Sequence, residues 1–122
     1  METKPLVLVA EDDSSNYRYL EVLLRKQFSV LWAQDGEIAV QMALENDVKM
    51  IFMDNKMPKK TGLKALVEIK KIKPTLPIIM QTAFAFDGDK EEAMAMGADG
   101  YLTKPIMSRD LKEVIAQFFG EL

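Results

Sequence analysis

The sequence predicts an α/β domain, a doubly wound sheet of five parallel strands with helices on both faces. Two observations carry this. Short apolar runs alternate five times with longer stretches of helical spacing, an alternation that builds a parallel sheet covered on both sides. The central run, Met50-Ile51-Phe52-Met53, is apolar at every position, as in a strand buried on both faces. The 122 residues suffice for one domain with a sizeable core. No internal repeat or linker divides them, so residues 1–122 read as a single domain.

The elements follow in order. A strand over Leu6–Ala10 leads into a helix whose face is Tyr17, Leu20, Leu23 and Leu24, with Ser14 or Asp13 as N-cap. A second strand, Val30–Ala33, is followed by the Asp35-Gly36 turn and a helix facing inward with Ile38, Met42 and Ala43. After the central strand, Gly62 opens a helix carrying Leu63, Leu66, Val67 and Lys70 on one face and stopped by Pro74 and Pro77. A fourth strand, Ile78–Met80, precedes a helix at roughly Asp89–Met96 that has no sharp apolar face and ends at Gly97. A short strand over Gly100–Leu102 leads into the clearest stripe, Leu111, Val114, Ile115 and Phe118, capped by Ser108 and ended by Gly120.

Composition narrows the chemistry. There is no cysteine and no histidine, which removes disulfides, thiol catalysis, Cys-ligated zinc, and the commonest general base and transition-metal ligand. Sixteen basic and 19 acidic residues leave a net charge of −3, without the basic footprint of a nucleic-acid binder. No apolar stretch reaches the ~20 residues of a membrane span, and the first residues contain no signal-peptide core. A cytoplasmic location is therefore expected, with no membrane insertion and no direct nucleic-acid binding.

In open parallel sheets function gathers beyond the carboxyl ends of the strands. Those ends read Glu11-Asp12-Asp13, Asp54, Gln81-Thr82-Ala83 and Thr103-Lys104-Pro105, while Gln34-Asp35-Gly36 reads as turn chemistry. Taken singly, each has an ordinary explanation as a helix cap, a turn starter or a solvated side chain. Four strands presenting such groups at one edge is a different matter. Two carboxylates ~4 Å apart repel by about 4 kcal/mol at an effective dielectric near 20. Glu11, Asp12 and Asp54 together carry three negative charges against the single positive charge of Lys104. A raised pKa or a bound cation relieves this, and an all-oxygen donor set suits a hard divalent ion such as Mg²⁺, with Asp12 and Asp54 ligating directly. Such an ion beside a carboxylate, a lysine and a hydroxyl is equipment for phosphoryl transfer, in which the carboxylate of Asp54 can itself be the nucleophile and Lys104 and Thr82 contact the phosphoryl oxygens.

Four stretches, VLVAEDD (7–13), MDNKMP (53–58) with Gly62, QTA (81–83) and GADGYLTKP (97–105), together resemble the receiver domain of two-component response regulators across essentially the whole chain. The resemblance implies a flavodoxin-like strand order of 2-1-3-4-5. It implies Asp54 as phosphoacceptor and Mg²⁺ as cofactor, with Mn²⁺ as a substitute, held by Asp12, Asp54, Glu11 through water and the main-chain carbonyl of Lys56. Thr82 and Lys104 would bind the phosphoryl group, Thr82 and Tyr101 would form the switch, and Lys104-Pro105 would be a cis peptide. Phosphorylation would then alter the face formed by the fourth helix, fifth strand and fifth helix, where Phe84 and Phe86 are candidate partner contacts. The implied phosphodonor is a sensor histidine kinase or a histidine phosphotransfer protein. The implied chemistry is the domain's own phosphorylation and slow autodephosphorylation, with no turnover of other substrates. The chain ends soon after the fifth helix, so any output domain or protein is expected elsewhere. One alternative is a magnesium-dependent aspartyl-nucleophile phosphohydrolase; haloacid-dehalogenase-type enzymes place a second acid two residues after the nucleophile, where this chain has Lys56. A phosphorylation-independent interaction module is the other.

Overall fold

A computed structural model of the chain describes residues 4–83 and 89–120. Five strands, β1 (Leu6–Ala10), β2 (Ser29–Ala33), β3 (Met50–Asp54), β4 (Ile78–Thr82) and β5 (Gly100–Thr103), alternate with five helices, α1 (Ser14–Leu24), α2 (Gly36–Glu45), α3 (Gly62–Ile72), α4 (Asp89–Ala95) and α5 (Ser108–Phe119). The strands form one sheet in the order β2-β1-β3-β4-β5, all parallel. This is the doubly wound architecture the sequence predicts, in the strand order the receiver-domain resemblance implies. Several strands run beyond their apolar stretches, because ladder hydrogen bonds continue after hydrophobicity stops; Asp54 pairs with Gln81 and Thr82 with Thr103.

Alternation along the strands feeds two apolar cores. Val7, Val9, Met50, Phe52, Ile79 and Leu102 point to the side covered by α1 and α5, where they meet Leu20, Leu24, Leu111 and Ile115. Leu8, Ala10, Ile51, Met53, Ile78 and Met80 point to the other, against Ala39, Ala43, Ala65, Leu66, Ile69 and Ala93. Every residue of β3 is buried, as its uninterrupted apolar run predicts.

Helix starts show where local reading succeeds and fails. Asp13 caps α1, its Oδ1 accepting from Ser15 N–H at 2.8 Å and Asn16 N–H at 3.0 Å. Asp35 caps α2 by accepting from Ile38 N–H at 2.8 Å, and Thr61 caps α3. The expected Ser108 cap is not found: Ser108 is already helical, and the N-cap is Met107, which makes no side-chain cap bond. Just before α5, Ile106 is buried and its carbonyl accepts from Tyr19 Oη at 2.5 Å. The buried face of α3 is also rotated from the expected one, with Ala65, Leu66 and Ile69 inward. Lys70 leaves that face to donate to Asp99 Oδ2 at 2.6 Å. Helix α4 ends at Ala95, and Gly97 (φ 114°) and Gly120 (φ 74°) turn the chain after α4 and α5.

The loops at the amino ends of the strands are held by lysines. Lys73 Nζ donates to the carbonyls of Ala43 (2.7 Å) and Asn46 (3.0 Å), and Asp99 Oδ2 also accepts from Ile78 N–H at 2.9 Å. No helix among the described residues is long and apolar enough to cross a membrane.

Candidate functional site

The carboxyl ends of β1, β3, β4 and β5 meet at one edge of the sheet. Glu11 continues the row of Val9, Asp54 that of Phe52, Gln81 that of Ile79 and Lys104 that of Leu102, so period-2 alternation sends all four to the α1/α5 side. Thr82 and Tyr101 follow the row of Met80 to the opposite side, where Tyr101 packs on the core.

Carboxylate oxygens of Glu11, Asp12 and Asp54 lie within 4.8 Å of one another, with Glu11 and Asp54 buried and Asp12 exposed. Lys104 Nζ donates to Glu11 Oε1 and stands 3.6 Å from Asp54 Oδ2. The lysine thus answers the acidic pocket from within, chiefly through Glu11. Burial is the first cause that lifts the Glu11 carboxyl from 4.5 to about 7; the Lys104 hydrogen bond opposes it and the Asp54 charge adds to it. Three converging carboxylates against one ammonium, with oxygen donors only, fit a hard divalent cation such as Mg²⁺. Asp13, the third acid of the loop, turns away to cap α1.

The loop after β3 is shaped by a close approach. A Cβ on Gly62 would lie 2.1 Å from the Asp54 carbonyl oxygen, and Gly62 N–H donates to the Asn55 carbonyl at 2.9 Å. The Asn55 side chain accepts from Leu63 N–H at 3.1 Å. Lys56 follows, exposed. The Lys104–Pro105 peptide is cis, and Lys104 N–H donates to the Thr82 carbonyl at 2.7 Å. Thr82 and Tyr101 both line a cavity of about 60 Å³, with Asn55, Leu63 and Asp89. The Tyr101 phenol is pushed above its usual range by burial and then by Asp89 and Glu91. Phe84 and Phe86 lie outside the described residues.

Two features escaped the sequence reading. Gln81 is wholly buried with neither side-chain polar atom hydrogen-bonded; it lines both the small cavity and a second one of about 300 Å³ between α1 and the loop after β5. Its place beside Asp54 could have been found by pairing the strand ends. Trp32 donates its indole N–H to the Glu11 carbonyl at 2.7 Å while Tyr17 stacks on its ring at 4.3 Å and 5°. No local pattern announces that contact, which spans 21 residues.

Comparison with known proteins is consistent with this site. The family model described as response regulator receiver domain matches residues 7–116. Hybrid signal transduction histidine kinase I of Dictyostelium discoideum is 40% identical over a segment covering 89% of this chain and 7% of the kinase. The chain spans between 7% and 45% of the length of such curated relatives. The receiver domain of sensor histidine kinase PA1611 from Pseudomonas aeruginosa, solved with a magnesium ion coordinated in its active-site cleft, superposes with a TM-score of 0.88 at 30% identity, covering 98% of this chain and 100% of that one. The receiver domain of Saccharomyces cerevisiae Ssk1, solved with the histidine phosphotransfer protein Ypd1, gives 0.86 at 29% identity, with 97% and 90% covered.

Proposed function

Because this chain belongs to the response regulator receiver domain family, we propose that it is a phosphoacceptor switch in which Asp54 takes the phosphoryl group. The observation that carries this reading is the convergence of Glu11, Asp12 and Asp54 oxygens within 4.8 Å, with Lys104 Nζ 3.6 Å from Asp54. Residues 1–122 act as one receiver unit in this account.

An Asp54 carboxylate oxygen forms the new O–P bond as the N–P bond of a phosphohistidine breaks, and the imidazole leaves with the electron pair. The chain contains no histidine, so the donor is a residue outside this segment, on a sensor histidine kinase or a histidine phosphotransfer protein. Asp12 and Asp54 directly, Glu11 through water and the Lys56 carbonyl would hold Mg²⁺ (or Mn²⁺), which when bound supplies charge neutralisation for the transferring group. Lys104 exchanges its bond to Glu11 for one to the phosphoryl oxygens, and the Thr82 hydroxyl turns toward them. Tyr101, beside Thr82 on the shared cavity, then repacks and alters the face of α4, β5 and α5. A nearly complete shift between two such states needs about 5.5 kcal/mol of differential stabilisation. The domain catalyses its own phosphorylation and slow hydrolysis and turns over no other substrate.

The test is intact-mass analysis after incubation with Mg²⁺ and acetyl phosphate. A single phosphoryl adduct is expected, absent in Asp54→Ala. No adduct on the parent chain would make it a phosphorylation-independent module, and rapid turnover of assorted phosphomonoesters would make it a phosphohydrolase.

A further inference from the structure

We propose, resting on the phosphoacceptor reading above, that Trp32 is a positioning residue for the acidic pair. Its indole, held under the Tyr17 ring, fixes the Glu11 carbonyl and so sets how tightly Glu11, Asp12 and Asp54 take a divalent cation.

The Glu11 main chain is tied at both ends to β2. Its N–H donates to the Ala33 carbonyl at 2.9 Å, and its carbonyl accepts the Trp32 indole N–H at 2.7 Å. That carbonyl belongs to the peptide plane joining Glu11 to Asp12, so fixing it sets the direction in which Asp12 leaves the strand. Indole is donor only, and the ring is held in turn: Tyr17 stacks on it with centroids 4.3 Å apart and planes 5° from parallel. Tyr17 N–H donates to the Asp13 carbonyl at 3.0 Å, which closes a ring of contacts from Glu11 through Trp32 and Tyr17 back to Asp13. Asp13 N–H reaches Glu11 Oε2 at 3.3 Å. Trp32 belongs to neither apolar core. Its half-buried ring instead meets Tyr17, which packs against the core on the α1/α5 side. Ligand groups held in place before the ion arrives bind it without an ordering cost, and side chains behind them supply that restraint.

The test uses Trp32→Phe, which keeps a ring against Tyr17 and removes the donor, and Tyr17→Leu, which keeps the donor and removes the stack. Calorimetric titration with MgCl₂ is expected to show Mg²⁺ affinity weakened about threefold to tenfold in Trp32→Phe, the range for losing one hydrogen bond, and less in Tyr17→Leu. The Mg²⁺ concentration for half-maximal phosphorylation by acetyl phosphate should rise by the same factor, with the limiting rate at saturating Mg²⁺ held within about twofold. In the parent, the emission of Trp32, the chain's one tryptophan, should change along the same titration. A merely structural role would lower the unfolding temperature and leave Mg²⁺ affinity at the parent value, and that result overturns the inference. Should Trp32→Phe fail to fold, unchanged affinity in Tyr17→Leu overturns it equally. Absence of Mg²⁺ uptake by the parent would instead overturn the phosphoacceptor reading beneath it.

Discussion

Removing divalent ions should make the stability of this domain fall as pH rises through a window set by one residue. Glu11 is 1% exposed, and its carboxyl is raised from 4.5 to about 7, first by burial, with Lys104 opposing and Asp54 adding. The unfolded chain releases this proton near 4.5 and the folded chain near 7. Between these values the folded state binds more protons, so its contribution to stability is whole below the lower value and lost as pH climbs through the upper. At 1.36 kcal/mol per pKa unit, the loss is about 3 kcal/mol. The measurement is urea unfolding across that window in chelator, comparing the parent with Glu11→Gln so that carboxylates common to both cancel. The parent should lose about 3 kcal/mol relative to the variant, and Mg²⁺ should shrink the loss by offsetting the buried charge. Parallel pH profiles for the two proteins would refute the reasoning, because they would mean that Glu11 ionises as easily folded as unfolded.

Two further changes test the packing around the site. Gly62→Ala places a Cβ 2.1 Å from the Asp54 carbonyl oxygen, a clash with main chain that no flexible side chain can relieve, and should cost ~3 kcal/mol or more in urea unfolding. Gln81→Leu replaces a buried carboxamide without hydrogen bonds by an apolar side chain of similar size, and should raise stability by ~1–2 kcal/mol in the same assay; a loss would mean that the carboxamide is satisfied in solution.

The strands were legible because each apolar run is short, bounded and separated by a helix, whereas their order came only from the resemblance to receiver domains; the carboxyl-end rule pointed to Glu11, Asp12, Asp54 and Lys104 without coordinates. The α5 start departs from the expected one because a serine at a boundary signals a cap only when its φ/ψ stay outside the helix, and here Ser108 is already helical with Met107 as N-cap. The face of α3 differs from the expected one because small Ala65 counts for little in an apolar tally yet sits on the inward side, while Lys70, spaced as part of the stripe, is drawn to Asp99. The pairing of Lys104 with Glu11, the isolation of Gln81 and the grip of Trp32 on Glu11 are contacts between distant segments. Such contacts follow from strand register and side-chain direction, which a one-dimensional pattern records only after the sheet has been assembled.

The lysine ties at the amino ends of the strands have a consequence for how the two rims of the sheet tolerate change. On that rim, the duty of Lys73 and of the Lys70–Asp99 pair is to close turns, and any donor or acceptor that closes the same turn would serve. On the opposite rim, under the phosphoacceptor reading, Asp12, Asp54, Thr82 and Lys104 are each asked for a particular functional group, and an equally well-folded substitute there would leave the domain intact but chemically silent. A saturation scan read for both abundance and phosphorylation should therefore divide the molecule along its strand axis, with fitness following folding at one pole and reactivity at the other.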